Sequence, residues 1–254
     1  MRNLCFLLEI GLFLFIFACS STGGNKMNSE QKAWTFVNMA NGAISEGDYT
    51  GALQNLKEAE TLDPDIPEVY HSRAVAFYFK HDLDSALQSG QRALEIKPEY
   101  VQAHNTVGKI LMDQGRYEDA TPHLKRAAQD PLNREAFKAK TSLGVIDYRK
   151  KNLDQASEWF NSAIEETPSS ACVAYYYRGH IHLQQNDIQS AIRDYGFASK
   201  NLCGNFSDAH LAQAMAYERA HDYKAARKKY LEVQNLFPST KSAEQALIQL
   251  RKLP

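Results

Sequence analysis

Six alanines recur along the 254-residue chain, at Ala52, Ala86, Ala120, Ala156, Ala191 and Ala226, with intervals of 34, 34, 36, 35 and 35 residues. Three further positions keep that register. Upstream of each alanine stands a small residue: Ala40, Ala74, Gly108, Gly144, Gly179 and Ala214. Downstream come Ala59, Ala93, Ala127, Ala163, Ala198 and Val233, and then Pro64, Pro98, Leu132 (beside Pro131), Pro168, Cys203 and Pro238. A period of this length marks a supersecondary unit that buries its apolar face only by stacking on copies of itself.

Helix packing explains the pattern. Small residues at crossing points let two helix backbones approach closely, and bulky ones there force them apart. Proline ends a helix because it lacks an N–H and clashes with the preceding turn. Each repeat therefore reads as two antiparallel helices, A and B. The register resembles the tetratricopeptide-repeat (TPR) family, with repeats at 33–66, 67–100, 101–136, 137–171, 172–206 and 207–240. The fold class expected is all-α: an α-α superhelix of six TPR hairpins, closed by an amphipathic capping helix at 241–254. Gly90 stands where such repeats usually carry a large apolar residue, so looser packing is expected there.

The N-terminal segment differs from the rest. Arg2 precedes an apolar run, Leu4–Ala18, that is interrupted only by Glu9 and Gly11 and is short for a span of about 20 residues. A basic start, an apolar stretch and a small residue before a cut site read as a signal peptide over 1–18. The sequence Ile16-Phe17-Ala18-Cys19 resembles a bacterial lipobox. The resemblance implies that Cys19 becomes the first mature residue and carries lipid; the alternative is an ordinary cleaved signal with an incidental cysteine. Ser20, rather than Asp, after that cysteine implies outer-membrane sorting. Residues 19–32 are expected to be a flexible tether, rich in Ser, Gly, Thr and Asn at its start.

Of the four cysteines, Cys5 leaves with the signal. Cys172 and Cys203 fall at the start of helix A and just beyond helix B of one hairpin, ends that antiparallel helices bring together. An oxidising periplasm favours a bridge, which in the chain-entropy model stabilises by about 3.7 kcal/mol. The alternative is two separate buried thiols.

Nothing in the sequence carries catalytic chemistry. There is no Gly-rich phosphate loop, G-x-S-x-G, H-E-x-x-H or C-x-x-C. His180 and His182 are two apart, so they point to different helix faces and form no metal pair. Glu165-Glu166 and Arg227-Lys228-Lys229 read as solvated faces, with acidic lipid head groups the alternative partner of the basic run, and a net charge of −1 points to no polyanionic partner such as nucleic acid. The expectation is a non-catalytic binding protein with no cofactor and no metal.

In TPR proteins the concave groove is lined mostly by helix A. Carried onto this chain, the groove positions are Trp34, Val37, Asn41, Ile44 and Ser45, then Glu68, His71, Val75, Tyr78 and Phe79, then Gln102, Asn105, Lys109, Met112 and Asp113. The first two repeats thus present an apolar wall, which marks an interaction site; the alternative for Trp34 and Phe79 is packing between helices. Later groove positions are more polar: Thr141, Tyr148, Arg149, Tyr176, His180, Glu218 and Arg219. The places where chaperone-binding TPRs hold a peptide carboxylate carry Val37, Asn41, Ser72, Gln102 and Thr106. The basic groups are missing, so a carboxylate clamp is not expected.

Lipobox, tether, six repeats and terminal helix together resemble the PilF/PilW/Tgl-type pilotins, lipoproteins of type IV pilus biogenesis. The stretch Asn105–Gly108, Gln114–Ala120 and Asp130-Pro131-Leu132 is similar to that family's third repeat and its long connector. The resemblance implies a monomeric outer-membrane lipoprotein, anchored on the periplasmic face, that binds the pilus secretin and promotes its localisation and assembly. A general TPR scaffold for other envelope or peptidoglycan complexes is one alternative; an enzyme with a cryptic site is the other, and it requires a polar constellation that the sequence does not display.

Overall fold

A computed structural model describes residues 27–254. The signal segment 1–18, Cys19 and the first part of the tether lie outside the described residues. Among the described residues thirteen α-helices follow one another: α1 Ser29–Glu46, α2 Tyr49–Leu62, α3 Pro67–Phe79, α4 Leu83–Ile96, α5 Val101–Asp113, α6 Tyr117–Gln129, α7 Ala136–Arg149, α8 Leu153–Glu166, α9 Cys172–Gln184, α10 Ile188–Ala198, α11 Ser207–Arg219, α12 Tyr223–Leu236 and α13 Lys241–Lys252. A 3-10 turn, Asn201–Cys203, separates α10 from α11. No strand occurs among the described residues.

Consecutive helices pair as antiparallel hairpins, α1 with α2 through α11 with α12. Each B helix also packs on the next A helix, and successive A helices touch from α1 to α9 and again from α11 to α13. The A helices therefore form one wall of the solenoid. The α9–α11 step is its loosest seam, and the 3-10 turn lies in the α10–α11 connection beside it.

The six alanines and the small residues upstream of them are all buried. At Gly108, Gly144 and Gly179 the upstream residue faces a large side chain of the helix B in its own hairpin, whereas Ala74 faces Gly90. A Cβ built on Gly108 would lie 2.6 Å from Leu124, and one on Gly179 would lie 2.7 Å from Tyr195. Gly90 corrects the expectation of loose packing: its Cβ would meet Val107 Cγ2 at 2.6 Å. Val107 reaches in from the next repeat and occupies the space that the missing side chain leaves.

Two local devices set the turns. Each A helix is followed by a left-handed residue: Gly47, His81, Gly115, Lys151, Asn186 and His221. Helix B then starts at once. In four hairpins an aspartate caps it, with Asp48, Asp82, Asp187 and Asp222 accepting from the backbone N–H of Gly51, Ser85, Ser190 and Ala225. The incoming chain is pinned too. Tyr70, His104 and His210 each reach back six residues, to the carbonyls of Pro64, Pro98 and Gly204 at 3.0, 2.9 and 3.0 Å.

Helix α1 begins at Ser29 rather than Ala33, so residues 29–32 are helical and the expected tether is shorter by that turn. The cause is local. Asn28 and Gln31 form a reciprocal capping box, each side chain bonding the other's backbone N–H at 2.7 and 3.1 Å. The Ser29 hydroxyl then donates to the Leu62 carbonyl at 2.7 Å, tying this first turn to the end of α2.

Candidate functional site

The A helices α1, α3 and α5 line two adjoining hollows on the concave wall. The first, of about 400 Å³, is bounded by Trp34, Val37, Asn41, Ile44, His71 and Val75 among others. The second, of about 310 Å³, shares His71 and Val75 and continues over Tyr78, Phe79, Asn105 and Lys109 to Asn133, Glu135 and Lys138. Periodicity brings them together: groove positions recur on the same helix face, and stacking of the A helices aligns those faces.

Every groove residue anticipated in the first two repeats lines one of these hollows, as do Gln102, Asn105 and Lys109 of the third. Met112 does not. It is 6% exposed and belongs to the core of the middle repeats. Helix α5 is flanked by both α3 and α7, and the flexible thioether fills the interior there. Trp34 is 38% exposed and stands at the groove. Phe79 does both things considered for it. Its ring stacks on Tyr49 of α2 at 5.3 Å between centroids, yet it stays 49% exposed at the edge of the second hollow.

Polar groups on the groove are held by one another. The Ser72 hydroxyl donates to Asn41 Oδ1 at 2.7 Å. His71 Nε2 lies 3.0 Å from Thr106 Oγ1, with Tyr100 packed edge-on against its ring at 5.2 Å. Burial drives the His71 pKa down to about 4, so the imidazole is neutral at pH 7. Tyr78 donates to Asp113 Oδ2 at 2.6 Å, and Lys109 sits 5.2 Å above the same ring. Burial, and then the Asp113 carboxylate, push the Tyr78 phenol above its ordinary pKa. The result is an apolar floor with fixed hydrogen-bonding groups along its rim and no unpaired cation cluster. An exposed apolar surface rimmed by polar groups is the general mark of an interaction site.

The concave wall of the later repeats is occupied by its own aromatic contacts. Tyr176 packs edge-on against His180 at 4.4 Å, and His180 Nδ1 lies 2.9 Å from Tyr195 Oη. The Tyr148 hydroxyl accepts from Gln184 at 2.9 Å, and Arg149 donates to Tyr117 at 3.0 Å. His182 turns away from His180, to within 3.5 Å of Asp194, and Asp194 is clamped bidentately by Arg178 at 2.7 Å. Sequence reasoning missed this buried ion pair; Arg178 and Asp194 belong to the two helices of one hairpin, and neither stands at a groove position.

A bridge joins Cys172, the first residue of α9, to Cys203 in the 3-10 turn, with the Cα atoms 5.5 Å apart. It closes the fifth repeat at the loosest seam of the wall. Among the described residues no helix is long and apolar enough to cross a membrane.

Stacked helical hairpins with a concave groove define a repeat scaffold that binds protein segments, and the chain belongs to the tetratricopeptide-repeat family. The family model matches residues 108–171 and 176–239, and a second TPR model matches 43–81. The type IV pilus assembly protein PilF of Pseudomonas aeruginosa is homologous, 26% identical over 176 residues that cover 67% of this chain and 68% of that protein. The solved structure of Pseudomonas aeruginosa PilF superposes with a TM-score of 0.73 at 19% identity, covering 87% of this chain and 99% of PilF. That of PilW, described as a widely conserved type IV pilus biogenesis factor, gives 0.74 at 18% identity, over 85% of this chain and 98% of PilW. These two likenesses show a shared fold.

Proposed function

We propose that this chain is a pilotin: a non-catalytic lipoprotein of the outer membrane that binds the type IV pilus secretin and promotes its localisation and multimer assembly. The observation that carries the reading is the continuous apolar groove over α1, α3 and α5 in a chain homologous to PilF. In this account Cys19 carries the lipid and holds the groove near the inner leaflet of the outer membrane. The tether before Asn28 links anchor to groove, and the groove shields an amphipathic secretin segment before it inserts. Removing apolar surface from water supplies the binding energy, at about 25 cal/mol per Å², and the polar rim selects the register.

The test is genetic and direct. Deleting the gene, or replacing Cys19 with alanine, leaves the secretin as monomers or at the wrong membrane, measured by fractionation and immunoblotting. Normal secretin multimers in the outer membrane of both strains refute the reading. Recovery of peptidoglycan enzymes rather than secretin from detergent-solubilised membranes favours the general scaffold instead.

A further inference from the structure

Helix α13 carries an exposed stripe that is its own complement. The helix docks on α11 and α12 through Ser242, Ala243 and Ala246, and Leu250 and Leu253 join that side. Arg227 fixes the last turn by donating to the Pro254 carbonyl at 3.0 Å. The opposite side presents Glu244, Leu247, Ile248 and Arg251, all exposed. Their i, i+3, i+4, i+7 spacing places them in one line along the helix. Leu247 is 40% and Ile248 50% exposed, and no described element covers them.

The register shows what this face is not. Lys241 follows Thr240 as the first residue of a seventh A-type helix. Ile248 then stands where the six hairpins have Ala40, Ala74, Gly108, Gly144, Gly179 and Ala214. Those small residues let each helix A meet its own helix B. A β-branched isoleucine blocks that close crossing, so the face is not shaped for another hairpin partner of the same kind.

Reversal of the stripe restores its chemistry. Its order is acid, apolar, apolar, base. Two copies laid antiparallel, with a two-fold axis passing between Leu247 and Ile248, place Leu247 against the partner's Ile248 and Ile248 against the partner's Leu247. The same axis sets Glu244 beside the partner's Arg251 at one end, and Arg251 beside the partner's Glu244 at the other. This is the isologous pattern of a cyclic dimer. Antiparallel helices also oppose their dipoles favourably.

We propose that the chain self-associates as a two-fold dimer through the Glu244–Leu247–Ile248–Arg251 stripe of α13. This dimer replaces the monomer expected from sequence, and it does not depend on the pilus reading. The contact is small beside a standard interface of about 1,600 Å², so the association is weak and reversible and leaves the concave groove open.

Sedimentation equilibrium of the full chain in density-matched detergent tests it. The wild type shows a monomer–dimer equilibrium. Glu244→Arg or Arg251→Glu turns both end contacts repulsive and weakens the association by about tenfold, while the double variant E244R/R251E restores it. Glu244 and Arg251 also complement the dipole of α13 from its first and last turns, so the single reversals each lower the melting temperature slightly and the double variant lowers it most; recovery of association in the double variant therefore cannot come from recovered stability. The dimer is overturned if the wild type stays monomeric, which assigns the stripe to another protein or to none. It is equally overturned if the single reversals leave association unchanged, or if the double variant fails to regain it.

Discussion

Gly144 on α7 faces Phe160 on α8 so closely that a Cβ at residue 144 would lie 2.5 Å from Phe160 Cε1. The ring is fully buried and has no room to retreat. Gly144→Ala therefore destabilises by about 1–3 kcal/mol through overpacking, less the gain of about 1 kcal/mol from alanine's helix propensity. Adding Phe160→Leu recreates the pairing of Ala40 with Leu56 in the first hairpin. The double variant is then more stable than the sum of the two single effects requires. Urea denaturation of all four species measures that coupling.

The left-handed residue between helices gives a second prediction. Lys151 holds φ at 68° between α7 and α8, where Gly47 and Gly115 do the same task in other hairpins. Its side chain is exposed. Lys151→Gly removes the Cβ strain and stabilises the chain by about 1 kcal/mol, read as a higher denaturation midpoint. An unchanged or lower midpoint contradicts it.

How much of this was legible in the sequence follows from what has a period. The small residues and the prolines recur every turn of the solenoid, so hairpin number and helix order could be written down from spacing, while the groove positions came from the resemblance to TPR proteins. Met112 was misplaced because periodicity gives a face and not the depth to which neighbours bury it. Gly90 was misread because the residue filling its space, Val107, comes from the following repeat. The capping box at Asn28 and Gln31 was passed over because the repeat register starts at Ala33, although the N-cap residue type and the Gln at N3 were visible signals. The Arg178–Asp194 clamp falls outside the repeat pattern.

His71 makes stability depend on pH. Its folded pKa, about 4, lies below the ordinary 6.5. Between these values the unfolded chain binds a proton that the folded chain does not. Stability therefore falls as pH drops from 6.5 and the loss is complete near 4, with a slope of up to about 1.4 kcal/mol per pH unit from this group. Burial lowers His123, His180 and His210 in the same direction. His71→Gln reduces the slope of the midpoint against pH and leaves the rest; an identical slope contradicts this assignment.

The Cys172–Cys203 bridge closes a loop of sequence separation 31. In the chain-entropy model its loss costs about 3–4 kcal/mol. Cys203→Ser, or reduction of the wild type, lowers the denaturation midpoint accordingly, and reduction leaves the midpoint of the variant unchanged. A wild-type midpoint indifferent to reductant excludes the bridge in solution.

The groove itself is the central claim. Val75 lies at the junction of the two hollows and is partly exposed, so Val75→Glu places a charge on the apolar floor without opening the core. The decisive measurement is the amount of secretin multimer in cells that carry this variant at wild-type abundance. The account predicts that multimers fall towards the level of the deletion strain. Undiminished multimers would contradict it.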